Sequence, residues 1–225
     1  MTDLNVHGTM IKVQQAAAAA GYTEEFWFDG EATDTKDGMK AHRVTKVDGT
    51  LGGTATISTT QAHSATHSLK VGLVDENLTF GVTVNEFNAN IGFISVWVYI
   101  PAAALNSDHT IFFTTDAATT QMDISVLQDK TVHLGMVKGA EEPVAITSAG
   151  AIAGGGWVNL KARWNTTTDQ YGLSINGGAD WTTSTEAQTV YPAVSTIYLG
   201  DPGFGGTTDV VYIDDFAIWT TFDGT

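Results

Sequence analysis

Two aspartates, Asp214 and Asp215, stand side by side in the otherwise apolar run Asp209–Trp219 (DVVYIDDFAIW). Neighbouring carboxylates are the usual equipment of acid–base chemistry. In an extended strand, however, successive side chains point to opposite faces. Asp214 then falls with Val210, Tyr212, Phe216 and Ile218, and Asp215 with Val211, Ile213, Ala217 and Trp219. Split in this way the two cannot act as one acid–base pair. Both faces are apolar, as in a central strand covered on both sides. A carboxylate buried there needs a cation, hydrogen-bond donors or an edge that reaches water.

Other chemistry-bearing types are sparse. His63 and His67 have the four-residue spacing that binds metal on a helix, but they lie in a loop running into a strand, where that spacing carries no meaning. No Gly-x-Ser-x-Gly elbow accompanies the serines. Zero cysteine removes thiolate zinc sites, disulfides and cysteine nucleophiles together. Saccharide recognition would need aromatic platforms beside polar groups. Trp181, after the Asn176–Gly178 turn, is the first candidate, with Tyr171 and Tyr191 next. Trp97, Trp157, Trp164 and Trp219 sit on strands that read as buried, so they are expected in the core.

The elements that must position these residues are strands. With 225 residues and 43% hydrophobic content, the chain is long enough for one large core. Only 16% of residues are charged and 24 are glycine, a balance suited to sheets with many turns. The net charge of −15 argues against nucleic acid and anionic membrane as partners. No Lys or Arg follows Arg163, whereas eight acidic residues do. No run reaches the ~20 apolar residues of a membrane helix, and the first residues lack the pattern of a secretory signal.

Residues 1–22, with the run Ala16–Ala20, are too small and uniform to build a core; they form a short helix or an arm that packs on a neighbour. The sheet-forming domain spans 23–225. Its first strand lies within 24–30, and 31–52 reads as a polar loop. Short alternating stretches follow, with Ile91–Ile100 apolar on both faces as a second central strand. At least eleven strands are expected, in a two-sheet antiparallel sandwich.

Three stretches carry a resemblance. Ala62–Val71 (AHSATHSLKV) is similar to an "SGxxSLxV" strand start, and Phe93–Pro101 (FISVWVYIP) to an "SxWVYxP" central strand. Trp157–Leu160, Tyr171–Gly178, Ile197–Asp201 and the closing Tyr212–Phe216 follow the laminin-G-like order. Together they resemble the concanavalin A-like lectin/glucanase superfamily and its carbohydrate-binding-module relatives over residues 24–220. The resemblance implies an all-β, two-sheet antiparallel jelly-roll β-sandwich. Glucanases of that superfamily carry E-x-D-x-E on one strand; none of the eight glutamates here forms it, which speaks against an enzyme. The related modules often tie first strand to last through a structural calcium. Carried over, its ligands would be Asp29 or Glu31 with Asp214 or Asp215, the alternative being aspartates satisfied by backbone amides, hydroxyls or water.

The reading that follows is a non-catalytic structural or interaction protein: a virion surface or capsid-decorating protein of a phage, joined to a protein lattice or to its own copies through residues 1–22, with glycan adhesion as an added role. The alternative is a free-standing carbohydrate-binding module or lectin acting outside the cell.

Overall fold

The structure is a computed structural model, and it describes residues 23–28, 40–41, 47–48, 50–52, 55–63, 67–72, 76–81, 91–116, 119–138, 141–187, 196–200 and 209–220. In chain order the strands are β1 (Thr23–Phe28), β2 (Lys40–Ala41), β3 (Val47–Asp48), β4 (Thr50–Gly52), β5 (Thr56–Ser58), β6 (Ser68–Val71), β7 (Asn77–Gly81), β8 (Ile91–Ile100) and β9 (His109–Asp116). They continue as β10 (Thr119–Val126), β11 (Val132–Lys138), β12 (Glu141–Thr147), β13 (Gly156–Asn165), β14 (Gln170–Ser174), β15 (Thr182–Ser184), β16 (Thr196–Gly200) and β17 (Val211–Thr220). No helix occurs among the described residues.

Two antiparallel sheets hold nearly all of them. The first runs β15-β14-β13-β8-β17-β6-β5, with β1 also on β17; the second runs β12-β11-β10-β9-β16-β7-β4. The expected two-sheet sandwich is the observed fold. Alternation makes the core: Ile94, Val96, Val98, Ile100, Leu160, Ala162 and Trp164 from the first sheet meet Phe112, Ile124, Leu134, Met136, Ile197 and Leu199 from the second. Phe112 and Phe216 stack at 5.6 Å between ring centroids.

Two strands and one region differ from the sequence expectation. Residues 31–52 were expected as loop but contain β2, β3 and β4. Edge strands β12 and β15 were not foreseen. Pro143 interrupts the pattern of the first, and an edge strand tolerates a residue that cannot donate to a ladder. The second is three polar residues, Thr182–Ser184, and has no apolar alternation to reveal it.

β17 occupies the place that matters for function. One edge pairs with β8 along its length; the other pairs with β6 over Val211–Ile213 and then with β1 over Phe216–Thr220. Asp214 and Asp215 lie where one partner ends and the next begins.

Candidate functional site

That change of partner is accompanied by a β-bulge. Asp214 is opposite Trp97, but the next matched pair is Ala217 with Ser95, so β17 carries one residue more than β8 across this interval. The extra residue is Asp215, at φ 46°. Asp tolerates this left-handed conformation better than most residues because its short side chain bonds locally. The bulge also restores the apolar register: Val211, Ile213 and Phe216 are all buried, where unbroken alternation would have put Phe216 on the other face.

The expectation that the two aspartates face opposite sides is therefore overturned. Both reach the same residue, His63, in the loop between β5 and β6. The His63 backbone N–H donates to Asp214 Oδ2 at 2.9 Å, and His63 Nδ1 lies 2.6 Å from Asp215 Oδ2. The Asp215 N–H donates to Asp214 Oδ1 at 2.9 Å. Asp214 and Asp215 are 0% and 3% exposed, so each carboxylate is held by N–H groups rather than water. With Asp215 ionised, His63 Nδ1 must carry the hydrogen, which fixes the imidazole tautomer.

His63 is the residue that sequence reasoning passed over as an ordinary loop histidine. Its ring stacks on Trp97 with centroids 3.7 Å apart and planes at 16°, and meets Trp157 edge-on at 5.7 Å. Tyr99 packs edge-on against both Trp157 and Tyr212. His67 does not join it: no group of three or more His, Asp or Glu among the described residues is placed to hold a metal.

Trp97 and Trp157 are thus not core, as expected from their strands, but half-buried on the outer face of the first sheet. In β8 the inward set is Ile94, Val96, Val98 and Ile100, and the outward set is Phe93, Ser95, Trp97 and Tyr99. Register places Trp157 beside Tyr99, Asn159 beside Trp97, Lys161 beside Ser95 and Arg163 beside Phe93. Between these strands and the Asn176–Gly178 turn lies a groove of about 500 Å³, lined by Trp97, Trp157, Val158, Asn159, Lys161, Ile175, Asn176 and Gly177. The turn is pinned by Gly177 N–H to Asn159 O at 3.1 Å, and Gly177 and Gly178 take φ 74° and 93°, which a side chain would resist.

The three candidate aromatics fare differently. Trp181 is half-buried: its Nε1–H donates to Gly178 O at 3.1 Å, and Arg163 Cζ lies 4.3 Å over its ring. It lies against the sheet rather than projecting from it. Tyr171 is 2% exposed, a core residue and not a platform. Burial, and secondarily Asp169, push its phenol up to about 12. Tyr191 lies outside the described residues, as do Asp29 and Glu31. The calcium tie draws no support from its described half, because three of the four carboxylate oxygens of Asp214 and Asp215 face N–H groups. The Ala-rich segment 1–22 is outside the described residues too.

No protein-family model and no curated protein matches the chain. Solved structures do. The receptor-binding domain of botulinum neurotoxin D superposes with TM-score 0.67 at 14% identity, over 88% of this chain and 49% of that one. The type G receptor-binding domain gives 0.66 at 12%, over 88% and 48%. The serotype D ligand-binding domain in complex with N-acetylneuraminic acid gives 0.66 at 12%, over 88% and 47%. The chain therefore spans about half the length of these structures, and at such identities the likeness shows a shared β-sandwich fold.

Proposed function

We propose that this protein is a non-catalytic recognition module that binds saccharide in the outer-face groove beside Trp97 and Trp157. The observation that carries the reading is the groove itself: two half-buried indoles next to Asn159 and Lys161, on a rigid sheet rather than a mobile loop. Indole rings supply apolar area that a sugar ring can cover, and flanking amide and ammonium groups read its hydroxyls. That similar folds serve as receptor-binding domains, one of them solved with N-acetylneuraminic acid, supports the same reading.

A catalytic use of the His63–Asp215 pair has less behind it. An aspartate orienting a histidine is half of a nucleophilic triad. Among the described residues, however, the side chains that meet His63 are the two aspartates and the two tryptophans, and none is a nucleophilic hydroxyl. Nor do the two carboxyl groups flank a gap in which a glycosidic bond could sit; they share one histidine.

The test is a glycan array probed with the full chain, followed by titration of the best hit. Trp157→Ala should weaken binding at least about tenfold, the loss of one well-packed aromatic contact, with the melting temperature little changed. An array with no saturable hit, or a variant that binds as tightly as the parent, would sink the proposal. Mounting on a phage particle through residues 1–22 is a separate proposal about where the module works. If it holds, deleting those residues abolishes co-purification with particles while saccharide binding persists.

A further inference from the structure

Within that groove the polar groups are unequally committed. Asn176 has both side-chain atoms engaged: Nδ2 donates to Asp180 Oδ2 at 2.8 Å, and Oδ1 accepts from Asp180 N and Ser174 Oγ. Asn159 spends its Nδ2 on Ser95 Oγ and Val96 O, which leaves Oδ1 as an acceptor on the side of Gly177. Lys161 is different again. Its Nζ donates to Gly177 O at 2.7 Å, and no carboxylate among the described residues pairs with it.

A half-buried ammonium with one neutral acceptor and no carboxylate is an expensive arrangement. Burial holds the Lys161 ammonium below the usual lysine range, the expected response of a desolvated cation. The surrounding face is unusual for this chain. The protein carries −15 overall, yet of the four Lys and Arg whose side chains are described, Lys70, Lys161 and Arg163 lie on this outer face and only Lys130 lies elsewhere. Of the acids near this face, Asp214 and Asp215 are tied to His63 and Asp180 to Asn176. A cation left unpaired beside two indoles, in a protein with acid to spare, is placed for a negative charge that arrives with the ligand.

We infer that the groove selects an acidic saccharide, its carboxylate received by the Lys161 ammonium while a sugar face lies against the Trp97–Trp157 corner. This rests on the saccharide reading above and narrows it to a chemical class. Lys161 is then the specificity-determining residue: its ammonium can donate to the hydroxyls of any sugar, but only a carboxylate adds the attraction of an opposite charge.

The experiment compares matched pairs that differ only in charge: sialyllactose and its methyl ester, and a glucuronate-containing tetrasaccharide and its ester, each titrated into the full chain. The acid member of a pair should bind about tenfold more tightly than its ester. Lys161→Met should bring that ratio close to one by weakening the acid far more than the ester, and Lys161→Arg should keep most of the preference. Melting curves check that both variants fold. If acid and ester bind alike, or if Lys161→Met weakens both equally, the acidic-saccharide inference is wrong and the saccharide reading stands. If neither acids nor esters bind and the array is empty, the saccharide reading itself fails and takes this inference with it.

Discussion

Asp215 shows how much one residue's backbone can decide. At φ 46° it is the inserted residue of the bulge, and its side chain turns toward His63 as a result. Asp215→Asn keeps a residue that tolerates this conformation and can still bond the imidazole, so its cost in urea denaturation should be small. Asp215→Ala should cost at least about 1 kcal/mol more, since it adds left-handed strain to the lost partner. Asp214 is a different case. Its carboxylate satisfies the N–H groups of both His63 and Asp215, and removing it strands two donors in a buried place. Asp214→Ala should therefore destabilise by about 3 kcal/mol, at roughly 1–3 kcal/mol for each orphaned group. A loss under half of that would show that water reaches the bulge and that the tie is weaker than its geometry.

At the scale of elements, β17 is organised by its change of partner. Where β6 ends and β1 begins, the outer edge of β17 lacks a continuous strand, and the β5–β6 loop brings His63 into that interval. The loop is thereby fixed over Trp97, and with it one wall of the aromatic patch. Close approach elsewhere on the same sheet gives a sharp test. Gly92 in β8 lies opposite Trp164 in register, and a Cβ there would collide with the indole of Trp164, which is 1% exposed. Gly92→Ala should cost about 3 kcal/mol or more, because a rigid buried ring cannot yield as a flexible side chain would. A urea midpoint close to that of the parent would mean that the β8–β13 pair is looser than its register implies.

For the molecule as a whole, the core holds a polar group that serves no bond within the described residues: the Tyr171 hydroxyl. Its phenol is raised to about 12 in the folded protein, against about 10 for a free tyrosine. The unfolded chain therefore loses the proton first, and stability should fall as pH rises from about 10 toward 12. Tyr171→Phe should leave stability at neutral pH equal or slightly higher, because it removes a buried hydroxyl without a partner, and should flatten that alkaline decline. An unchanged decline in the variant would assign it to other groups.

The two-sheet sandwich was legible in the sequence because alternation is a local property. Ile94, Val96, Val98 and Ile100, or Leu160, Ala162 and Trp164, declare a buried face through spacing alone. What alternation cannot say is whether the opposite face meets a second layer. Trp97 and Trp157 look like core in sequence and turn out to line a groove, because sheet packing decides which face is covered. Tyr171 errs in the other direction, a plausible platform that the second sheet covers. The bulge is the deepest such case. A single inserted residue reverses every later side chain, and only the pairing of β17 with β8 and β1 shows where the insertion falls. His63 lies 151 residues from Asp214, and no spacing rule links the two. The sequence by itself thus determined the strands and their apolar stripes, which depend on neighbours along the chain. The tertiary structure alone decided the meeting of His63 with its two aspartates and the exposure of Trp97 and Trp157, since both arise from contacts between distant strands.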